Sequence, residues 1–336
     1  MFAVYVSNAE SGDISVLHLD PQRGALTAVQ RVEVGGEVMP LALDPGRTRL
    51  YAACRSEPRE VLSFEIDPKS GELDALGAAP LPHSMASIAT DRSGRFLFSA
   101  SYGGNLIAVN AIDADGVAHG AQQVLPTGPN AHAIHADPSN RFVFATSLGG
   151  GVLLQFRFDA ASGRLTPNTP PTMRPHATAS PRHFVFGHDA RFVYLLNELD
   201  AAIDVLALDA DSGTLRTVQT IDTLPRGFRG EPWAADIHLR PDGRFLYSSE
   251  RRSGTLAAFR VDAGDGTLTL VGHVPTEAQP RGFNVTPDGR FLIAAGQRSH
   301  RVGLYAIDAE TGALRALGDC AAGRGPNWVE SIMLDS

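Results

Sequence analysis

The sequence predicts an all-β fold: a seven-bladed β-propeller with four-stranded antiparallel blades, running as a single domain over residues 1–336. Three observations predict it. One sequence unit recurs seven times, two landmarks inside the unit keep the same period, and one copy is divided between the chain ends.

The first landmark is an Asp that follows an apolar alternation and precedes a Gly and a Leu-containing strand start. It stands at Asp20, Asp67, Asp113, Asp159, Asp209, Asp262 and Asp308, so successive copies lie 46 to 53 residues apart. The second is a turn followed by an apolar strand: DPGRTRLY, DRSGRFLF, DPSNRFVF, GHDARFVY, RPDGRFLY and TPDGRFLI, with its reference residue at Leu50, Leu97, Val143, Val193, Leu246 and Leu292. Asp and Gly at these offsets form turns.

Each unit holds about four runs of period-2 alternation or β-rich composition, such as Ser87–Thr90, Phe96–Ala100, Leu106–Ile112 and the segment around Val124. Four short strands in under about fifty residues make one blade, and a lone blade cannot cover its own faces, so blades stack radially. The chain begins with a second strand, Phe2–Ser7, and ends with a first strand, Gly325-Pro326-Asn327-Trp328. Joining them in one blade closes the ring and removes free sheet edges.

Composition narrows function by exclusion. Lys and Arg number 29 against 37 Asp and Glu, a net charge of −8 without a basic run, so no nucleic-acid partner is expected. Any anionic ligand needs a local group of Arg. No stretch of about 18 apolar residues suggests a membrane helix, and Met1–Val6 lacks the features of a secretory leader, so no membrane partner and a cytoplasmic address are expected. Cys54 and Cys320 are too few for a disulfide framework or a zinc site. No metal or cofactor is expected, since no HxH, HExxH or CxxC spacing occurs in a supporting context, and His132 and His135 on one strand should point to opposite faces.

Positions that serve the blade should look alike in every copy, whereas positions that serve a ligand should differ. Eleven residues before the reference, on the innermost strand, stand Met39, Ala86, His132, Arg182, Ala235 and Arg281, joined by Asn327. Five residues after it stand Arg55, Tyr102, Leu148, Glu198, Arg251 and Gln297. The hairpin between the two columns brings them to one end of each blade, away from the PDGR turns. His132, Arg182, Arg281, Glu198, Arg55 and Tyr102 should therefore converge on one cavity at a channel mouth.

That chemistry suits an anionic, oxygen-rich substrate. Arg holds carboxylate or phosphate in a fork and stabilises an oxyanion, while Glu198 or His132 can deprotonate water for acyl transfer. His183, next to Arg182, should turn away from the channel by alternation and support the site from behind. The Arg of the turns, including Arg95, Arg244 and Arg290, recurs in the blades and reads as structural, and Trp233 and Trp328 read as packing.

Over essentially its whole length the chain resembles the bacterial β-propeller lactonases. The resemblance rests on VYVSNAESGDISV, SPRHFVFGHDARFVYLLNELDAAIDV, EPWAADIHLRPDGRFLY, TEAQPRGFNVTPDGRFLIAAGQRSH and GRGPNWV. It implies cofactor-free hydrolysis of 6-phospho-D-glucono-1,5-lactone to 6-phosphogluconate, a step of the pentose phosphate pathway. Related fungal propellers cyclise carboxy-muconate with a proposed set of one His, two Arg and one Glu. The matching positions are His132 in PNAHAIHADP, Arg182 in SPRH, Glu198 in LLNELD and Arg281 in QPRGFNV. These are the expected catalytic residues, and Arg55, Tyr102, His183, Asp236, Arg251, Gln297 and His300 form the expected substrate-binding set. Arg55, Arg251 and Arg298 with His300 are the candidates for a phosphate pocket. The same residues would also serve an unphosphorylated sugar-acid lactone or a muconate, and a propeller that binds without turnover is the reading from a different class. Glu198 together with both Arg favours an enzyme. Monomer and dimer both remain open.

Overall fold

Seven sheets are arranged around a central channel in the computed structural model, which describes residues 1–335; Ser336, the last residue of the expected domain, lies outside them. Among the described residues, 28 strands form seven antiparallel sheets of four. The innermost strands are Val38–Leu43, Ser87–Thr90, Ala131–Ala136, Pro181–Phe186, Ala234–Leu239, Pro280–Val285 and Pro326–Met333. Each packs on the innermost strand of the next blade, and the last packs on the first.

The expected closure is present. Strand Phe2–Asn8 pairs with Pro326–Met333 in register Phe2↔Met333 through Val6↔Val329, so one sheet holds strands from both chain ends. The hydrophobic core is divided into clusters between neighbouring blades, for example Phe96, Phe98, Val143 and Phe156.

Both landmarks turn out to build the same inter-blade contact. The Asp side chain caps its own turn, as where Asp209 Oδ1 accepts the N–H groups of Asp211 and Ser212 at 3.0 and 2.9 Å. Four residues on, Gly213 adopts φ +67°, a left-handed conformation that only glycine takes without strain. It lies directly on the Phe142 ring of the preceding blade, where a Cβ would overlap the ring carbons. Where the preceding blade also carries a Tyr two residues after the Phe, its hydroxyl donates to the turn glycine carbonyl as well, as from Tyr194 to Gly266 at 3.1 Å and from Tyr247 to Gly312 at 3.0 Å, while Phe192 and Phe245 meet the same glycines. The turn arginines lie over the adjacent phenylalanines, Arg191 over Phe192 at 5.2 Å among them. Gly213→Ala is expected to cost about 2–4 kcal/mol, combining the left-handed backbone with overpacking, read as a lowered midpoint in thermal unfolding.

One irregularity positions the site. In six of the innermost strands the pairing with the second strand slips near the end away from the PDGR turns: between Val38 and Leu41, Ala131 and Ile134, Pro181 and His183, Ala234 and Ile237, Pro280 and Gly282, and Pro326 and Trp328. Each slip inserts one residue, a β-bulge, and a bulge re-aims the side chains beside it.

Candidate active site

The pairing Pro181↔Asn197 puts Arg182 and Glu198 at one end of their blade, while Phe186↔Val193 lies at the turn end. Glu198 is fixed by its own backbone. Its N–H donates to Ser180 O at 2.9 Å, and its carbonyl accepts from Ala234 N of the next blade at 3.0 Å.

Two guanidinium groups close on its carboxylate. Arg182 Nε donates to Glu198 Oε2 at 2.7 Å and Arg251 Nη2 to the same oxygen at 2.9 Å. Arg182 is 1% exposed and also donates to the Ala235 carbonyl. Arg251 lies 3.8 Å above the Trp233 ring and donates to the carbonyls of Trp233 and Ala234. Burial alone would raise the Glu198 pKa, but Arg182 and Arg251 outweigh it and hold the carboxyl below its ordinary value, so it is ionised.

His132 is buried beside this triad, edge-on to Tyr102 with ring centres 6.0 Å apart and edge-on to His183 at 4.9 Å. Burial, reinforced by Arg182, His183, Arg281 and Arg251, pushes its pKa well below the ordinary value. It is therefore neutral at pH 7. Arg281 also feels Arg182 and Arg55, and burial and these like charges together lower its pKa. Guanidinium basicity keeps it charged at neutral pH. Among the described residues it has no hydrogen-bond or ion-pair partner. Arg55 lies against the Met39 thioether. Four cations thus face one carboxylate, a local reversal of the chain's net charge of −8.

His183 departs from its expectation. The bulge at Pro181/His183 breaks the alternation, so Arg182 and its neighbour both reach the channel. His183 Nδ1 meets Asp236 Oδ1 at 2.7 Å, and its ring packs on Trp328 with centres 5.5 Å apart. His135 departs in the same way: the bulge at Ala131/Ile134 leaves it lining the channel below His132 rather than on the opposite face.

Asp236, placed in the substrate-binding set, is engaged by the protein. It accepts from Ile237 N and Phe283 N and meets His238 Nε2 at 3.2 Å as well as His183. Gln297 and His300 stand in the expected register but bond elsewhere, Gln297 to Gln279 and His300 to Gly325 N.

The expectation of a single cavity at the Arg end also needs correction. His132, His183 and Trp328 form a layer of rings across the channel. A cavity of about 640 Å³ lies beyond it and opens at the turn end, lined by His183, Asp236 and Trp328 but by none of Arg55, Arg182, Arg251 and Arg281. Positive charge, an ionised carboxylate and a neutral imidazole meet instead at the Arg end. Reading the column eight residues before the reference, with His135, His238, Asn284 and Glu330 among two alanines and a valine, would have pointed to the second cavity.

Fold and site together define a seven-bladed propeller with four guanidinium groups around one carboxylate at one mouth of its channel. The family described as Lactonase, 7-bladed beta-propeller matches residues 2–331, and the chain belongs to it. A protein of Pectobacterium atrosepticum named 6-phosphogluconolactonase is 44% identical over 332 residues, covering 99% of both chains. One of Serratia proteamaculans with the same name is 42% identical over 329 residues, covering 98% of both. Among solved structures, a periplasmic gluconolactonase of Pseudomonas aeruginosa superposes with a TM-score of 0.92 at 27% identity, covering 99% of both chains. No helix of the described residues is long and apolar enough to cross a membrane.

Proposed function

We propose that the chain hydrolyses 6-phospho-D-glucono-1,5-lactone to 6-phospho-D-gluconate, a reaction of the pentose phosphate pathway, at the Arg mouth. The observation that carries this reading is the excess of guanidinium over carboxylate there, with Arg281 lacking a protein partner. The names of the full-length relatives support it. Two unpaired cysteines suit the reducing cytoplasm.

The roles follow from what each group is already bonded to. Arg281 and Arg55, with no carboxylate against them, hold the phosphate. Arg182, anchored through Nε and Nη1, keeps Nη2 for the oxygen that becomes negative when water adds to C1. Glu198 fixes Arg182 and Arg251, and a carboxylate stabilised by two cations is a weak base.

That leaves His132 as the base. Asp236 is ionised, so the proton on His183 sits on Nδ1 and its Nε2 bears a lone pair. His183 Nε2 and His132 Nδ1 are both buried without partners, on rings 4.9 Å apart. With a proton on Nδ1, His132 keeps Nε2 to accept from water. His132 takes the water proton as C1 is attacked. The bond from C1 to the ring oxygen then breaks, His132 returns the proton to that oxygen, and the new carboxylic acid ionises to solvent.

Initial rates on freshly prepared 6-phosphogluconolactone and gluconolactone, with spontaneous hydrolysis subtracted, test the reading. A clear preference for the phosphorylated lactone, reduced in Arg281→Ala, is expected; no turnover of either would overturn it. A pH dependence follows as well. His132 must be unprotonated, so rate falls as pH drops through its pKa. In free protein the surrounding burial and Arg charges depress that pKa, so kcat/KM should stay level well below pH 6.5. A bound anion offsets those cations, so the acid limb of kcat should lie higher than that of kcat/KM. Coincident limbs in steady-state pH profiles would exclude His132 from this role.

A further inference from the structure

The cavity beyond the ring layer is not used by the reaction above, yet it is constructed with more polar variety than blade packing requires. Its polar wall combines His135, His183, His238, Trp328 and Glu330, drawn from four different blades. Its opposite wall is apolar, with Leu41, Ile88 and Ala89. A volume of about 640 Å³ falls within the range of small-molecule sites.

The Glu330 carboxyl accepts from Trp328 Nε1 at 3.0 Å, and burial raises its pKa to about 7, which gives it a proton to donate over much of the neutral range.

The charge at this end differs from that at the Arg mouth. Arg47 and Arg92 stand with Asp44 and Asp91, and burial would lower the His238 pKa but Asp236 beside it outweighs this and raises it. Several of these are already engaged: Asp44 and Asp91 cap their own turns, and Arg92 donates to Ala136 O and Asp137 O. What remains for a ligand is a set of nearly uncharged donors and acceptors beside one aromatic ring. An anion would find no excess positive charge, and an apolar molecule would leave the polar wall unpaired.

We propose that the turn-side end of the channel is a second binding site, for a small neutral polyhydroxylated molecule of hexose size. Hydroxyls bond the imidazoles of His135 and His238 and the Glu330 carboxyl, and the carbon face of the ring lies on Trp328. The site meets the Arg mouth only at the His183 and Trp328 rings, and its test does not depend on the lactone reaction.

The chain has two tryptophans, so Trp233→Phe leaves Trp328 as the only indole emitter. Titration of that variant with D-glucose, and in parallel with D-gluconate and 6-phospho-D-gluconate, should give a saturable emission change with the neutral sugar and a weaker one with the anions. Ala89→Leu fills the apolar wall and should abolish the response with unchanged thermal midpoint and lactonase rate. Glu330→Gln keeps the shape and should weaken affinity about tenfold, the value of one lost hydrogen bond. Absence of saturation with D-glucose, a response that persists in Ala89→Leu, or tighter binding of the anions would each overturn the proposal. Lactonase rates of the same variants report separately on the reaction at the other mouth.

Discussion

Arg182→Ala is expected to lower both stability and activity more than any other single change at the mouth. Its guanidinium is 1% exposed and satisfies Glu198 Oε2 and the Ala235 carbonyl. Truncation leaves a largely buried carboxylate with Arg251 as its one remaining cation. Breaking a buried pair from one side costs about 3–5 kcal/mol, a drop that urea unfolding would read directly. Loss of an oxyanion donor adds about 10²–10³-fold in kcat. Arg182→Lys should restore part of the charge but not the two-point geometry, so stability should recover more than rate. If Arg182→Ala lost stability while turning over at the wild-type rate, the oxyanion role would have to pass to another group.

Arg281→Ala should separate the two quantities. With no protein partner for its charge, and with Arg182 and Arg55 repelling it, the side chain gives little to the fold. The thermal midpoint is expected to hold or rise slightly. The effect on 6-phosphogluconolactone should be about 10²–10³-fold in kcat/KM, carried chiefly by KM, because an anion contact made equally in ground and transition states is uniform binding. Gluconolactone, which lacks the phosphate, should lose far less. Equal losses on both lactones would move the phosphate to a different part of the mouth.

These two arginines also mark what the sequence disclosed. The blade period was legible because the Asp turn and the aromatic strand start meet in the same contact, as Gly213 and Phe142 do, so neither can drift without the other. The columns with His132, Arg182, Arg281 and Glu198 were legible because the mouth is where copies are free to differ. What stayed hidden depends on a one-residue bulge, which changes a side chain's direction without leaving a mark in the pattern. Strict alternation therefore turned His183 and His135 the wrong way. Arg251 was placed at the mouth, but its bond to Glu198 joins adjacent blades and is a matter of reach rather than period. Gln297 and His300 show the converse, the right register with hydrogen bonds formed to neighbours outside the cluster. Trp328 read as packing, yet it both closes the ring layer and lines the second cavity.

The bulge has a consequence for how such a protein can diversify. By presenting two consecutive side chains to the channel where regular pairing would present one, it makes the mouth an array of interchangeable addresses, each on a rigid support. A substitution at such an address alters what the channel greets without disturbing hairpin register or the seams between blades. New substrate preferences can accordingly arise one residue at a time, while the ring that carries them stays the same.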